Sequence, residues 1–563
     1  MINEGELGKV MKTIDADTLT RMFFAGAARL EANKEIINEL NVFPVPDGDT
    51  GTNMTLTIMS AVSEVQDLSD KSMKAVAKAI SSGSLKGARG NSGVILSQLL
   101  RGCTKVIRNY EVVDAQVLSM SLQKAVETAY KAVMKPKEGT ILTVARGVAD
   151  KASEMALEVE DIEPIFQALV EEAEIQLEHT PELLPVLKEA GVVDSGGRGF
   201  LEILKGADDA LLGKEIDYSA LKPREEAAAG ETADEVPEEE KASGYCTSFT
   251  VHLMHELDDT AGEKFRLYLE SLGEAVVLAS SGGTLKVHAD TEHPGKVIEK
   301  ALGLGILTDI RIENLGEETP DRLQAHAEEV ERAQEAAAAP EGPRKEMGFI
   351  SVASGEGLAE IFKGLGVDYV IEGGQTMNPS TDDMLKAVAK VNADHVFILP
   401  NNKNIILAAN QAKAMTTDKD IIVIPSRTIP QGITAMINYM TDSSVFDNTQ
   451  RMNEGLGMVK TGQVTYAVRD TRVDEQDIKE GDIMGLGDDG ILAVGKDIEE
   501  VTLALFEKLI DDESELISIY YGQDVTREAA EALASKLGGL YSSCDVEVHS
   551  GGQPIYYYVT SVE

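Results

Sequence analysis

The sequence predicts a multidomain protein: an all-α domain of about eight helices, a small ferredoxin-like α/β domain, and a C-terminal α/β domain with a mostly parallel sheet. Three observations predict it. Apolar residues recur every three or four positions from about residue 19 to 212, as on amphipathic helices. Strand and helix patterns then follow in the order βαββαβ, the order of a ferredoxin-like unit. After residue 346 short apolar strands alternate with helices, which indicates parallel strands joined by right-handed crossovers.

The helical domain is assigned to residues 1–212. Its first apolar stripe consists of Leu19, Met22, Phe23, Ala27 and Leu30. Further stripes cover residues 53–66, 72–82, 92–109, 114–134, 140–158, 162–178 and 198–212. Such a succession of amphipathic helices predicts a helical bundle with a shared apolar core.

The loop Asn41–Asn53 (NVFPVPDGDTGTN) is where we expect the chemistry. Pro44 and Pro46 keep the approach to the loop extended. In an extended segment residues two apart project to the same side, so Asp47 and Asp49 aim their carboxylates at one point. Two neighbouring carboxylates repel each other unless a cation lies between them. Carboxylate oxygens are ligands that suit Mg²⁺.

The residues that follow the two aspartates begin a helix, which favours phosphate binding. Gly51 is expected to let the backbone approach a ligand. Hydrogen-bond donors are offered by Thr50, Thr52 and Asn53. The simpler alternative is an Asp-Gly turn with a helix cap. A calcium-binding EF-hand loop is excluded, because positions 6 and 12 counted from Asp47 are Thr52 and Ile58 rather than Gly and Glu.

Three other loops of the helical domain are rich in Gly or small polar residues. They are GARGNSG (Gly87 to Gly93), EGT (Glu138 to Thr140) and VVDSGGRG (Val193 to Gly199). Each can present backbone amides and hydroxyls to an anion. Taken singly, each is better explained by a helix cap or a tight turn.

Together these motifs resemble a known kinase family. DGDTGTNM, then GARGNSG about forty residues on, then DSGG about a hundred further, are similar to the nucleotide-binding subunit of dihydroxyacetone kinase. NVFPVPDGDTGTNM and GARGNSGVILSQ resemble more specifically the A subunit of bacterial fatty acid kinase. The resemblance implies an eight-helix barrel with ATP and two Mg²⁺ ions at one mouth.

The resemblance also assigns roles to individual residues. It makes Asp47 and Asp49 the metal ligands, with Asn41 near the position of a further Asp in the dihydroxyacetone kinases. Arg89 is a candidate for stabilising the transferring phosphoryl group, and a solvated loop cation is the alternative. The residues expected around the nucleotide are Thr50, Gly51, Thr52, Asn53, Asn91, Ser92, Thr140, Asp194, Ser195 and Gly196.

An acidic linker at residues 213–243 leads to the middle domain at 244–316, and a second linker covers 317–345; both lack a bulky apolar stripe. Cys246, His288 and Asp290 are candidate zinc ligands, because sulfur and imidazole on adjacent strands suit that metal. The resemblance includes GYCT and KVH here, although Asp290 stands where the family has a second His. An open sheet edge makes this domain a candidate for homodimerisation.

The C-terminal domain is assigned to residues 346–563. Three polar loops follow strands of the predicted parallel sheet: GGQTMNPST (Gly373 to Thr381), LPNNKN (Leu399 to Asn404) and IPSRTIPQG (Ile424 to Gly432). Carboxyl ends of parallel strands meet at one edge, so a binding surface is expected there. GLGDDG (Gly485 to Gly490) precedes a strand and predicts a hairpin turn rather than a dinucleotide site. By resemblance, this domain docks the fatty-acid-carrying B subunit.

Charge and composition limit the partners. The 96 acidic and 52 basic residues give a net charge of -44, which argues against nucleic acid or an anionic membrane as the main partner. No run approaches the roughly 18 apolar residues of a membrane span, and the start of the sequence lacks the features of a signal peptide. Three widely spaced cysteines fit a reducing compartment. We therefore expect a cytoplasmic protein.

The residues alone support nucleotide binding, and the resemblance supplies the acceptor. It implies transfer of the γ-phosphoryl group of ATP to the carboxylate of a fatty acid held by a separate carrier protein, which gives an acyl phosphate for phospholipid synthesis. One alternative is a dihydroxyacetone-type (glycerone) kinase, although the attached sheet domain offers only His395 and His549, neither in its polar loops. The other is a non-catalytic nucleotide-binding adaptor.

Overall fold

The computed structural model describes most of the chain in two compact units, Met1–Glu226 with Arg344–Glu563, and Ala227–Pro343. The described residues are 12–42, 48–133, 135–218, 221, 245–253, 264–265, 268–269, 272–281, 284–314, 344–374, 378–467, 471–473, 476–488 and 490–563. Both predicted linkers lie largely outside these ranges. No helix among the described residues is long and apolar enough to cross a membrane.

Between positions 12 and 218, the described residues of the first unit form helices joined by loops, as predicted. The eight long helices are α1 (Ala16–Ala32), α3 (Thr50–Gln66), α4 (Met73–Lys86), α5 (Gly90–Ile107), α6 (Ala115–Ala132), α7 (Ile141–Met155), α8 (Ile162–Glu178) and α11 (Ser195–Leu211). The short helices are α2 (Lys34–Glu39), α9 (Thr180–Leu183) and α10 (Pro185–Ala190). The prediction omitted these three because four to six residues are too few to show an apolar period.

The long helices close into a ring. Each packs on the next in the order α1, α3, α4, α5, α6, α7, α8, α11, and α11 returns to α1. Glycines allow that closure, since a Cβ on Gly206 of α11 would overlap the backbone oxygen of Ala25 in α1. The apolar faces fill the interior, with Leu30, Ile58 and Leu169 among the fully buried side chains.

The second unit contains a four-stranded antiparallel sheet. Its elements are β1 (Tyr245–Leu253), β2 (Gly273–Ser281), β3 (Thr284–Thr291), α12 (Pro294–Leu302) and β4 (Gly305–Asn314). The strand order is β2-β3-β1-β4, which is the order of a ferredoxin-like sheet and confirms that prediction. The helix predicted at 260–272 lies mostly outside the described residues. Of the residues described there, Lys264, Phe265, Tyr268 and Leu269 are helical and Leu272 lies in a turn.

The C-terminal part of the first unit begins with a parallel sheet, as predicted. Its elements are β5 (Lys345–Ala353), α13 (Glu356–Gly364), β6 (Tyr369–Glu372), α14 (Thr381–Lys390), β7 (Ala393–Leu399), α15 (Ile406–Met415), β8 (Asp420–Val423), α16 (Ile429–Ile437) and α17 (Val445–Gly455). The strands pair in the order β6-β5-β7-β8, each pair parallel. Helix α17 was not predicted.

A second, mixed sheet completes the chain. Its elements are β9 (Lys460–Tyr466), β12 (Ile483–Leu486), β13 (Ile491–Gly495), α18 (Ile498–Leu509), β14 (Leu516–Tyr521), α19 (Arg527–Leu540), β15 (Asp545–Ser550) and β16 (Tyr558–Val562), and β10 (Thr471–Val473) and β11 (Gln476–Ile478) form a separate hairpin. The six strands run β13-β12-β9-β16-β14-β15, with only β14 and β15 parallel. The predicted hairpin turn at GLGDDG joins β12 to β13, where the amide of Gly487 donates to the carbonyl of Gly490 at 2.8 Å.

Candidate functional site

Four helices of the ring, α3, α5, α7 and α11, begin at the same mouth. The Ser195 hydroxyl of α11 donates to the Thr50 hydroxyl of α3 at 3.2 Å. The Asp194 carboxylate, at the N-cap of α11, accepts from a backbone amide of its own helix and from the Ile141 amide of α7. Gly90 is the first residue of α5, and a Cβ on it would lie 2.5 Å from the side-chain nitrogen of Asn53 in α3. Helix N-termini carry unpaired N–H groups and partial positive charge, so this mouth favours phosphate.

Asp49 stands at the N-cap of α3, but its side chain makes no capping hydrogen bond to that helix. Instead the Asp49 carboxylate accepts a hydrogen bond of 2.6 Å from the side-chain amide of Asn378 in the C-terminal domain. Asp47, its predicted partner, lies outside the described residues. Asn41 is buried at 2% exposure near the start of the same loop.

The first turn of α3 packs against α2 as well as facing the mouth. Thr50 and Asn53 are buried. The Thr52 amide donates to the side-chain oxygen of Asn38 at 3.1 Å, and the Asn38 amide nitrogen donates to the Thr52 hydroxyl at 3.1 Å. A Cβ on Gly51 would overlap the Lys34 backbone oxygen, so the close approach that Gly51 permits is to α2. Sequence analysis missed Asn38, because nothing local marks this residue of α2.

Asp194 joins the starts of α7 and α11. It is 6% exposed, and burial raises the pKa of its carboxyl to about 6, while amide hydrogen bonds from Gly197 and Ile141 lower the pKa in part. Thr140 caps α7, its hydroxyl accepting from the Leu142 amide at 3.4 Å. A Cβ on Gly196 would lie 3.3 Å from the Asp194 carboxylate. These contacts fix two of the four helix starts relative to each other.

The buried Asp194 carboxyl predicts a pH-dependent stability. Between pH 3.8 and about 6 the folded chain keeps a proton on Asp194 that the unfolded chain has released, so this group lowers the free energy of unfolding as pH rises through that window. A shift of this size corresponds to roughly 3 kcal/mol. As the pH rises from 4 to 7, we expect the free energy of unfolding of Asp194→Asn, measured with urea, to increase by about 3 kcal/mol relative to that of the parent. Asp161→Asn, at the N-cap of α8, controls for loss of a capping carboxylate, and parallel pH profiles for the parent and Asp194→Asn would contradict the prediction.

The GARGNSG motif contacts the C-terminal domain. The Arg89 guanidinium donates to the Asn378 carbonyl at 3.3 Å and lies 3.9 Å from the Asp383 carboxylate. The Asn91 amide nitrogen donates to the Asn404 side-chain oxygen at 3.0 Å. Ser92 is half-buried in the first turn of α5. The sequence predicts Asn91 beside a nucleotide and Arg89 beside the transferring group, whereas these contacts direct both side chains to the C-terminal domain.

Two of the three polar loops of the parallel sheet meet the helical domain of the same chain. The loop after β6 does so through Asn378 and through Thr381, whose amide donates to the Ala88 carbonyl at 3.1 Å; residues 375–377 lie outside the described part of this loop. The loop after β7 contributes Asn404. Its Asn401 is instead fixed within the domain, accepting from the Ser426 hydroxyl at 2.7 Å. The predicted edge surface therefore serves in part to join two domains of one chain.

The middle-domain candidates are described by their backbone only. Cys246 pairs with Asp290 across β1 and β3, and His288 pairs with Ser248 two residues away. Their side chains lie outside the part of the chain that the structure describes. Among the side chains that are described, no group of three or more His, Cys, Asp or Glu could hold a metal ion.

The groups at the mouth fit a magnesium–phosphate ligand. The described oxygens there include the Asp49 carboxylate, the hydroxyls of Thr50 and Ser195, and the side-chain oxygen of Asn378, which is buried and has no hydrogen-bond partner among the described residues. Hard oxygen donors of this kind suit Mg²⁺, which completes its shell with water and substrate phosphate. The helix starts supply the complementary donors for phosphate.

Comparison with family models matches all three domains. The DAK2 domain matches residues 44–209, the middle domain of the FakA-like fatty acid kinase family matches 242–322, and the C-terminal domain of the same family matches 348–563. Among whole proteins, Protein YloV of Bacillus subtilis is 42% identical over 558 residues, covering 98% of this chain and 100% of the relative. Uncharacterized protein SAR1202 of Staphylococcus aureus is 39% identical over 557 residues, with 98% and 100% covered.

The similarity to solved structures is weaker than that to the whole-chain relatives. A dihydroxyacetone kinase from C. freundii in complex with AMP-PNP and Mg²⁺ has a TM-score of 0.28 and 15% identity, covering 37% of each chain. The Streptococcus pneumoniae Fatty Acid Kinase (Fak) B3 protein loaded with linoleic acid has a TM-score of 0.27 and 13% identity, covering 33% of this chain and 76% of that one. Likenesses of this strength carry no inference about the chain.

Proposed function

Because the chain belongs to the FakA-like fatty acid kinase family, we propose that it is the ATP-binding subunit of a fatty acid kinase. In this proposal the helical domain binds Mg-ATP where α3, α5, α7 and α11 begin. The γ-phosphoryl group passes to the carboxylate of a fatty acid presented by a separate fatty-acid-binding protein, and the acyl phosphate formed feeds phospholipid synthesis. The observation that carries the proposal is the meeting of four helix starts around Asp49 and Thr50.

Different residues at the mouth would bind the phosphates and the metal ion. Backbone amides at the starts of the four helices, with the hydroxyls of Thr50 and Ser195, would donate to phosphate oxygens. Asp49, with Asp47, would hold the metal. When bound, Mg²⁺ supplies positive charge between the phosphates and this acidic chain, whose net charge is -44. Asn41, Thr52, Asn53, Asn91, Ser92, Thr140 and Gly196 remain proposed members of the surrounding shell.

The chemistry requires little of the protein beyond positioning. A carboxylate oxygen of the fatty acid forms the new bond to the γ-phosphorus, the bond from that phosphorus to the β,γ-bridging oxygen breaks, and ADP departs with the electron pair. A fatty acid carboxyl is already ionised at neutral pH, because its pKa resembles that of other carboxyl groups, so no general base is needed. Alignment and charge neutralisation then supply the rate enhancement. A direct catalytic role for Arg89 stays a prediction.

The C-terminal domain is the proposed docking site for the separate fatty-acid-binding protein. Its segment from α16 to the loop after α17 exposes four large apolar side chains, namely Ile437 (63%), Met440 (50%), Phe446 (76%) and Met458 (63%). Exposed apolar groups of this size often mark protein interaction sites. A cytoplasmic location and a homodimer formed through the middle sheet complete the proposal. Zinc at Cys246, His288 and Asp290 has no support among the described side chains and stays a prediction.

Trapping of the product tests the reaction. The chain is incubated with Mg-ATP, a fatty acid and its fatty-acid-binding protein, and hydroxylamine converts any acyl phosphate to a hydroxamate. We expect hydroxamate only when all components are present, with loss of the product when EDTA removes the metal. ADP formed with dihydroxyacetone instead would favour a glycerone kinase. Tight ATP binding without turnover on either acceptor would favour a non-catalytic adaptor.

A further inference from the structure

Asn378 of the C-terminal domain lies at the mouth of the helical domain. It follows β6 and precedes α14, and it is only 3% exposed. Its side-chain nitrogen donates to the Asp49 carboxylate at 2.6 Å, although the two residues are 329 positions apart. A Cβ on Gly90, where α5 begins, would lie 3.7 Å from the same nitrogen. Asn378 therefore contacts the carboxylate proposed to bind magnesium and lies close to one of the four helix starts.

The other end of the Asn378 amide has no partner among the described residues. Its side-chain oxygen is buried without a hydrogen bond, which costs about 1–3 kcal/mol when nothing compensates. Native proteins rarely leave a buried polar atom without a hydrogen bond, and where one is found, an ion or a water molecule often binds at the site. The nitrogen of the Asn378 side chain is bonded to Asp49. Its oxygen is therefore available for a ligand near the proposed metal site.

Hydrogen bonds between the two domains fix the position of Asn378. Arg89 donates to its backbone carbonyl at 3.3 Å. Nearby, the side-chain amide of Gln411 in α15 donates to the Leu85 carbonyl at 2.6 Å, and the Gln98 amide of α5 donates back to the Gln411 side-chain oxygen at 2.8 Å. These bonds join α15 to the α4–α5 corner. The placement of Asn378 against Asp49 thus depends on docking of the C-terminal domain.

We propose that Asn378 is a positioning residue for the magnesium–nucleotide site, contributed by the C-terminal domain, so that the site is complete only when the two domains are docked. The nitrogen of its amide fixes the orientation of the Asp49 carboxylate. When the ion is bound, the oxygen would be available as a hydrogen-bond acceptor at the site. This inference rests on the proposed function, since it presupposes that Asp49 helps to hold the metal.

Binding of Mn²⁺ to the full chain in the presence of AMP-PNP tests the inference without turnover. Free Mn²⁺ is measured by electron paramagnetic resonance. Residues that orient metal ligands typically contribute about 10–100-fold to affinity, so we expect Asn378→Ala to weaken Mn²⁺ binding by that factor. Asn410→Ala is the matched control, because Asn410 lies on α15 but donates to the Ile406 carbonyl of its own helix, at 2.9 Å, and to no other residue that the structure describes. It should bind Mn²⁺ as the parent does.

A second variant keeps the test decisive. Gln411→Ala removes bonds between the domains without altering Asp49 or Asn378, and we expect Mn²⁺ binding to weaken by about 2- to 10-fold. Circular dichroism shows which variants are folded. A folded Asn378→Ala chain with parental Mn²⁺ affinity overturns the inference, and if that variant does not fold, a folded Gln411→Ala chain with parental affinity overturns it equally. If the parent itself fails to bind Mn²⁺ with AMP-PNP, the proposed function fails instead.

Discussion

Asp49→Ala is expected to lower metal-dependent acyl phosphate formation by roughly 10³-fold or more, which corresponds to about 4 kcal/mol of lost transition-state stabilisation. The reason is that the substitution removes a carboxylate at the point where the starts of four helices meet. The domain should remain folded, because the Asp49 side chain makes no capping hydrogen bond to α3. Turnover is measured by hydroxamate formation, and folding by circular dichroism and thermal unfolding.

Asp17→Ala is the matched control for that experiment. Asp17 is also an aspartate near a helix start of the same domain, exposed in the first turn of α1, and its removal should leave turnover unchanged. Asp47→Ala should resemble Asp49→Ala, as the sequence motif predicts. An Asp49→Ala chain that keeps metal-dependent activity within a few fold of the parent would falsify the assignment of Asp49 to the metal.

Gly51→Ala should have the largest effect on stability among small substitutions near the site. A methyl group there would overlap the Lys34 backbone oxygen and lie 2.9 Å from the Asn38 side-chain oxygen. Backbone cannot rotate away as a side chain does, so α3 must shift from α2. Overpacking of this kind costs typically 1–3 kcal/mol and occasionally more. We expect a loss of at least about 2 kcal/mol in urea unfolding, together with weaker Mg-ATP binding, since the same turn carries Asp49 and Thr50.

Gly539→Ala serves as the control for the Gly51 substitution. Gly539 also lies in a helix, α19, but a Cβ there would have no atom of the described residues within 4 Å. Alanine is favoured over glycine in helices by about 1 kcal/mol, so this variant should equal or exceed the parent in stability. If Gly51→Ala proves as stable as Gly539→Ala, the close packing of α2 on α3 does not require glycine at position 51, and the prediction is wrong.

The fold was predictable where an element has a long, regular pattern. The long helices of the ring and the strands β5 and β7 bury continuous apolar faces, and the prediction found them. Helix α17 was missed because its sequence VFDNTQRMNEG is mostly polar and buries only Asn448, Met452 and Gly455. Helix α18 was not predicted either, although Val501, Leu505 and Leu509 lie four residues apart and are buried. That spacing could have revealed the helix.

The site was predictable only in its local parts. Asp49, Thr50 and Ser195 stand in short motifs next to helix starts, and the physics of helix termini identifies such places from sequence. Asn378 could not be found in this way. It belongs to another domain, and only the docking of that domain brings it to Asp49. Arg89 shows the same limit, because the local motif gives no sign that its side chain meets the C-terminal domain.

Every role proposed for the residues of the helical mouth requires that the mouth binds a metal–nucleotide complex. Isothermal titration calorimetry of the full chain measures that binding. The titrant is ATP with excess Mg²⁺, and the same titration is repeated with EDTA and with the Asp49→Ala variant. We expect saturable binding of one nucleotide per chain that is lost in both controls. Absence of binding by the parent, or equal binding with and without the metal, would show that the mouth is not a metal–nucleotide site.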